Sequence, residues 1–412
     1  MSRGYFYLLN QLQDTLNTWM FQTNVSVPAA TAFDPTFISS DLATWTLSEG
    51  TKYTDVNALS ISDRTGLQTN ELDGTIQDVS VTMDSDTFAN ITEFTFRDDG
   101  IYGNLDISDF TGLTSFNVQE NSALTSITNP VSTSAIMDFY RANDCGLTGT
   151  INLSGYTSLQ GFIYLYSNAN LTGLIMPSTS GIVERIYAYN CDITGSVDLS
   201  NIPNLKGDVR FQNNTNLTEV LFPSNNETFT VMFLQNCDLT GTLDISGLTQ
   251  LGGNIRFNNN ANLTEVLNPT TSKTVTFYWA NNCNLTGTLD LSGYSIIGGD
   301  LRFNSNSNLT DITHTTSTRR LTIYFAQNCD LGYIDFTKFT NTNDGIYIQL
   351  QSNNMTATEV NHILVDLDNE GWINGTINIS GTNAAPDGTS GGYDGTTAAT
   401  NLTGKGWTVT TS

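Results

Sequence analysis

The chain has 412 residues, a formal net charge of −25 and only 13% charged residues, five of them lysines. This balance speaks against nucleic-acid binding, which needs clustered Lys and Arg to neutralise phosphates. It describes a soluble, self-repelling surface rich in Asn, Thr, Ser and Gly.

Residues 1–20 read MSRGYFYLLNQLQDTLNTWM. Tyr5, Leu8, Leu12, Leu16 and Trp19 recur at helical spacing, which predicts an amphipathic helix. Gln11, Asp14 and Asn17 interrupt the apolar run. It is therefore a poor secretory core, and it is too short and polar to span a membrane. Residues 1–30 read as a docking helix and linker, joining a partner or further copies of the chain. The plainer alternative is a helix folded onto the first repeat. Residues 31–89 are less regular and read as an N-terminal cap, because an end repeat must cover the open core.

Residues 90–355 are repetitive. Cys145, Cys191, Cys237, Cys283 and Cys329 follow one another at a constant spacing of 46. Around them recur segments such as NNCNLTGTLDLSG (281–293) and QNCDLTGTLDISG (235–247). Between them Asn-x-Asn-Leu-Thr recurs, starting at Asn168, Asn214, Asn260 and Asn306. A fixed period in this range is the mark of a solenoid. Counted between leading asparagines, with Asn190, Asn236, Asn282 and Asn328 leading the cysteine copies, the rungs alternate between 22 and 24 residues. Each has apolar residues five and three positions before its Asn, alternating with polar ones as in a short half-buried strand. This predicts an inward column of Phe211, Phe233, Phe257, Trp279, Phe303 and Phe325. The leading Asn fits a side-chain amide that satisfies backbone groups of a neighbouring rung.

The strand–Asn–Leu unit, as in Phe277-Tyr-Trp279-Ala-Asn-Asn282 followed by Leu285-Thr-Gly-Thr-Leu289, resembles the leucine-rich-repeat family. The resemblance implies a mainly β solenoid in which LTGTLDLSG supplies a second short extended piece. A single-stranded parallel β-helix is the alternative fold. Residues 356–412 differ from the repeats. Val360, Ile363, Leu364 and Leu367 have helical spacing, and GTINISG (375–381) and WTVTTS (407–412) read as strands. This capping module resembles closing segments of leucine-rich-repeat-like proteins from bacteriophages and Bacteroidetes-type bacteria. The resemblance implies a virion or bacterial-surface protein.

Successive cysteines sit two rungs apart, about 9–10 Å by strand spacing, beyond the roughly 4.4–6.8 Å that a disulfide needs. Small, buried, reduced thiols are expected. There is no CxxC pair and the histidines are His314 and His362, so no metal site or cofactor is expected. Asp198, Asp244 and Asp290 form an acidic column, as do Glu219, Glu265 and Asp311. A repeat makes such columns automatically, and no catalytic motif accompanies them, so no enzymatic activity is expected.

Four residues before each leading Asn stand Arg210, Arg256 and Arg302, with Tyr164 in phase. In the alternate rungs the same count gives Tyr140, Tyr278 and Tyr324. These residues are expected on an exposed strand face, where Arg and aromatics would recognise a glycan or an anionic polymer. Cross-strand stabilisation of the sheet is the plainer alternative. The functional expectation is a bacteriophage virion structural protein, a tail or capsid fibre or appendage that attaches to the host. Its expected partners are other virion proteins through the N-terminus, a host surface glycan or protein, and further copies of itself. A bacterial cell-surface adhesin is the alternative, and a polysaccharide-degrading enzyme comes third. Neither nucleic-acid binding nor membrane insertion is expected.

Overall fold

The computed structural model describes the chain from residue 89 onward, apart from residues 90, 99, 317 and 340–344. Before that it describes the backbone of five strands: Thr18–Thr23, Thr36–Ile38, Ala43–Leu47, Lys52–Tyr53 and Gln77–Met83. The chain divides into two compact units, Met1–Leu205 and Lys206–Ser412. Both are parallel β-solenoids of the leucine-rich-repeat type, with about 11 turns in all.

In the first unit, strands Glu93–Thr95, Ser115–Asn117, Thr133–Arg141, Tyr156–Tyr164 and Val183–Tyr187 pair in parallel, one per turn. Thr36–Ile38 runs antiparallel along Glu93–Thr95 and so covers an edge that would otherwise offer unpaired backbone groups. Thr18–Thr23 lies between Gln77–Met83 and Ile101–Asp106, antiparallel to both. Trp19 is therefore in extended backbone opposite Val81, not on a helical stripe. The other residues of that expected stripe, Tyr5, Leu8, Leu12 and Leu16, lie outside the described residues.

In the second unit, Gly207–Arg210, Asn225–Phe233, Leu248–Arg256, Thr274–Trp279, Ile296–Arg302 and Thr318–Phe325 pair in parallel. The Leu-Thr-Gly-Thr-Leu segments form the second extended piece of each turn pair. Thr240–Asp244 pairs with Asn262–Leu267, and Thr286–Asp290 with Asn308–Thr313. Gly241 and Gly287 both have φ of 64°, a left-handed backbone that disfavours side chains.

The register corrects the expected alternation of 22 and 24 residues. Val209, Met232, Ile255, Tyr278, Leu301 and Tyr324 are successive partners, which is a uniform step of 23. The repeat contains two kinds of asparagine. Asn213, Asn236, Asn259 and Asn282 are exposed, have φ between 55° and 63°, and form the turn after the strand. Their amides make a ladder: Asn236 Nδ2 donates to Asn213 Oδ1 at 2.7 Å, Asn259 to Asn236 at 2.7 Å and Asn282 to Asn259 at 2.8 Å. Asn214, Asn260 and Asn306 come one residue later and are fully buried. Counting from a turn asparagine to a buried one gives the false alternation.

The buried asparagines do serve the neighbouring backbone. Asn260 Nδ2 donates to Leu234 O and Phe257 O, and its Oδ1 accepts from Leu239 N at 3.0 Å. The slot equivalent to Asn260 in the next turn holds Cys283, since Arg256 pairs with Trp279. Its thiol donates to Phe257 O at 3.4 Å. Asparagine and cysteine therefore alternate in one buried slot.

Core volumes alternate as well. Ile255 with Phe257, then Tyr278 with Ala280, then Leu301 with Phe303, then Tyr324 with Ala326, are all fully buried. A large ring over a small neighbour in one turn faces the reverse in the next, so the layers interlock. Tyr278 meets Phe257 edge-on at 5.3 Å.

The C-terminal segment prolongs this sheet. Tyr347–Gln349, Thr376–Asn378 and Thr408–Thr410 add parallel strands. Helix Ala357–Asn369 starts with a capping box between Thr356 and Glu359 and buries Val360, Ile363, Leu364 and Leu367, the positions expected from their spacing. A second helix, Gly395–Gly404, packs against it. Gly375 is required by the Trp407 ring, which a Cβ would meet at 2.6 Å.

Candidate ligand-binding face

The parallel strands alternate inward and outward residues, so the 23-residue register decides which side chains reach the solvent. Tyr140, Tyr278 and Tyr324, expected outside, are fully buried. The reason is a polar partner at depth for each hydroxyl. Tyr278 donates to Asn268 Oδ1 at 3.1 Å and Tyr140 to Asn129 Oδ1 at 3.1 Å, while Tyr324 OH lies 3.2 Å from His314 Nε2. Burial pushes all three phenol pKa values well up. Conversely, Phe233, Trp279 and Phe325, expected inside, are half-exposed on the outer face. Phe211, Phe257 and Phe303 point inward as expected.

Tyr164, Arg210, Arg256 and Arg302 are on the outer face. In the second unit one outward column reads Arg210, Phe233, Arg256, Trp279, Arg302, Phe325. Cations and rings interleave along it. The Arg210 guanidinium carbon lies 5.2 Å from the Phe233 ring centre. That of Arg256 is 4.7 Å from Phe233 and 4.0 Å from Trp279, and that of Arg302 is 4.3 Å from Trp279 and 5.3 Å from Phe325. Each such contact contributes on the order of 0.5–1 kcal/mol when exposed. Strand spacing sets the pitch, so the Arg256 and Arg302 guanidinium groups each lie between two rings.

In the first unit the corresponding column is Arg141, Tyr164, Tyr187. Tyr164 stacks on Tyr187 at 4.9 Å, and Tyr166 on Tyr189 at 4.8 Å with planes 2° apart. Arg185 lies 4.7 Å above Phe162. Phe233, Trp279, Phe325, Arg141, Tyr187, Tyr166 and Tyr189 thus belong to the face but escaped the sequence reading. Alignment on the alternating Asn260 and Cys283 slot, instead of on every leading asparagine, brings them into phase.

The acidic column is structural. Asp198, Asp244 and Asp290 accept the backbone N–H of Ser200, Ser246 and Ser292 at 2.8, 2.9 and 2.8 Å, closing the turn after each extended piece. Among the described residues no group of three His, Cys, Asp or Glu side chains stands close enough to hold a metal ion. No helix among them is long and apolar enough to cross a membrane.

Short parallel strands, a buried asparagine slot and a regular outward column define a β-rich leucine-rich-repeat solenoid. The chain belongs to the BspA type leucine rich repeat family: that region matches residues 144–257 and 246–353 in six copies, together just over half of the sequence. Proteins of this type are typically bacterial surface proteins. No curated protein and no solved structure matches the chain.

Proposed function

We propose that the protein is a non-enzymatic surface repeat protein that holds a glycan on the outer face of its parallel sheet. The observation that carries this reading is the ordered column Phe233, Arg256, Trp279, Arg302, Phe325, with guanidinium-to-ring distances of 4.0–5.3 Å. Sheet stability alone does not require rings and cations at solvent-facing positions. Recognition of a repeating polymer does benefit from a repeating, rigid row of donors and aromatic edges, because little side-chain freedom is lost on binding. Binding of the intact protein to a panel of immobilised polysaccharides, compared with Trp279→Ala, tests it. Loss of binding in that variant, with the fold retained and stability lowered only by the roughly 1–2 kcal/mol of its two cation contacts, supports the reading. Equal binding by both proteins removes it.

Family membership favours display on a bacterial cell, where the protein acts as an adhesin. A second reading places the same module on a virion, as a tail or capsid appendage that attaches to the host. It is favoured by the resemblance of residues 356–412 to closing segments found in bacteriophage proteins as well as in those of Bacteroidetes-type bacteria. In that reading the N-terminal residues join other virion proteins or further copies of the chain. Protease shaving of intact cells, set against a mass-spectrometric inventory of purified particles, separates the two locations. Removal of residues 1–17 then tests whether that end is the attachment point.

A further inference from the structure

The three arginines of the column are not equivalent. Arg210 is neutralised on its own strand by Asp208, with Nη2 donating to Oδ2 at 2.9 Å. Arg302 is neutralised in the same way by Asp300, with Nε and Nη2 both donating at 2.8 Å. Each of these aspartates stands two residues before its arginine and faces the same side. At the same position before Arg256 stands Asn254. Arg256 forms no ion pair among the described residues, and its Nε has no hydrogen-bond partner.

The side chains beside Arg256 are uncharged; the charges that reach it come from Arg210, Arg302 and Asp300, the last of which lies two strands on and is already paired with Arg302. Asn254 precedes it on its own strand and Asn258 follows just beyond the strand's end, Val231 and Gln235 lie on the preceding strand line, and Phe277 and Asn281 on the following one. Its guanidinium is fixed between the rings of Phe233 and Trp279, so it stays where it is with or without a ligand. One preorganised cation without an ion-pair partner of its own therefore sits among aromatic and amide side chains, on a chain whose net charge is −25.

We propose that Arg256 is the anion subsite of the outer face, where an oxyanion of an acidic polysaccharide docks while neighbouring sugars lie against Trp279, Phe233 and the flanking amides. This rests on the glycan-binding reading above and makes its ligand class specific. Guanidinium geometry suits a carboxylate or sulfate, which can accept two parallel N–H bonds. Asp208 and Asp300 occupy the equivalent edges of Arg210 and Arg302, which within the second unit's column leaves Arg256. The strong negative charge elsewhere opposes adventitious adsorption of polyanions, so binding here requires a local site.

The test uses the full chain with three probes: polygalacturonate, dextran sulfate and uncharged dextran. Asn254→Asp copies the Asp208–Arg210 and Asp300–Arg302 pairs already present in this fold, so it fills the subsite from within without disturbing the sheet. Asn254→Asp and Arg256→Gln are each expected to weaken binding of the acidic probe by about tenfold or more, as for loss of a charge-assisted contact. Uncharged dextran should be unaffected by either variant. Binding of the intact protein should weaken as salt rises. The two acidic probes show which oxyanion is held. If both variants bind acidic probes as well as the parent protein does, the proposal is overturned while the glycan reading stands. If only uncharged dextran binds, the outcome is the same. If no polysaccharide binds at all, both fall.

Discussion

Tyr278 and Tyr294 donate to one acceptor, Asn268 Oδ1, at 3.1 and 2.8 Å. The two phenols come from adjacent turns and are buried, and their rings lie 6.2 Å apart nearly perpendicular. The same triangle recurs in the first unit, where Tyr140 and Tyr156 share Asn129 Oδ1 at 3.1 and 3.0 Å. A buried hydroxyl without a partner costs about 1–3 kcal/mol, so the shared amide decides whether tyrosine is tolerated in the core. Asn268→Ala strands two hydroxyls and should lower stability by about 2 kcal/mol or more by the same reasoning. Tyr278→Phe removes one donor and leaves the other satisfied, and should cost about 1 kcal/mol. Urea unfolding of both variants checks the order, and a costlier Tyr278→Phe would contradict the shared acceptor.

The 23-residue register makes a second, differential prediction. Phe257 is fully buried whereas Phe233 stands on the outer face. Phe257→Ala should therefore cost about 3–5 kcal/mol, as for buried aromatic truncations. Phe233→Ala forfeits mainly its cation contacts, about 1 kcal/mol. Under the 22- and 24-residue count the two losses would be equal, so matched denaturation curves decide between the registers.

Much of the fold was readable because it depends on periodicity. Cysteines at a spacing of 46 exposed the repeat, and Val360, Ile363, Leu364 and Leu367 exposed the helix that buries them. The face was read only in part, for two physical reasons. Asn236, in a left-handed turn, and Asn214, buried and donating to Phe211 O, are the same letter doing different work. Tyr278 and Trp279 are neighbours of similar size, and hydrophobicity does not say which one points inward. The tertiary partner Asn268 does say it, and it becomes identifiable only once the chain is folded.

The thiols provide a third prediction. Cys191, Cys237, Cys283 and Cys329 are free and buried, and burial pushes each pKa up to about 11. Thiolate is the reactive form, so at pH 8 the native protein should react with a thiol reagent only as fast as it opens. Labelling should become complete in denaturant. Fast labelling of folded protein, or a bridge between any two of these residues, would refute the buried slot.

The last prediction concerns acid. His314 is enclosed by Tyr324 and Phe339, with its ring centre 5.7 and 5.0 Å from theirs. Burial first, and then the nearby Lys338, push its pKa down to about 4, with Asp335 acting weakly the other way. In the unfolded chain an exposed imidazole titrates near 6.5. Above that value both states are neutral and the full stability is present. As pH falls from about 6.5 toward 4, the unfolded state binds a proton that the folded state refuses, so stability declines. A shift of this size corresponds to at most about 3 kcal/mol. His314→Asn retains a polar group toward Tyr324 without a proton to bind. It should flatten the stability profile across this window, leaving the loss that carboxylates cause at lower pH. Denaturation midpoints at intervals from pH 7 to pH 4 measure it, and an unchanged slope in His314→Asn would show that the histidine does not titrate on unfolding.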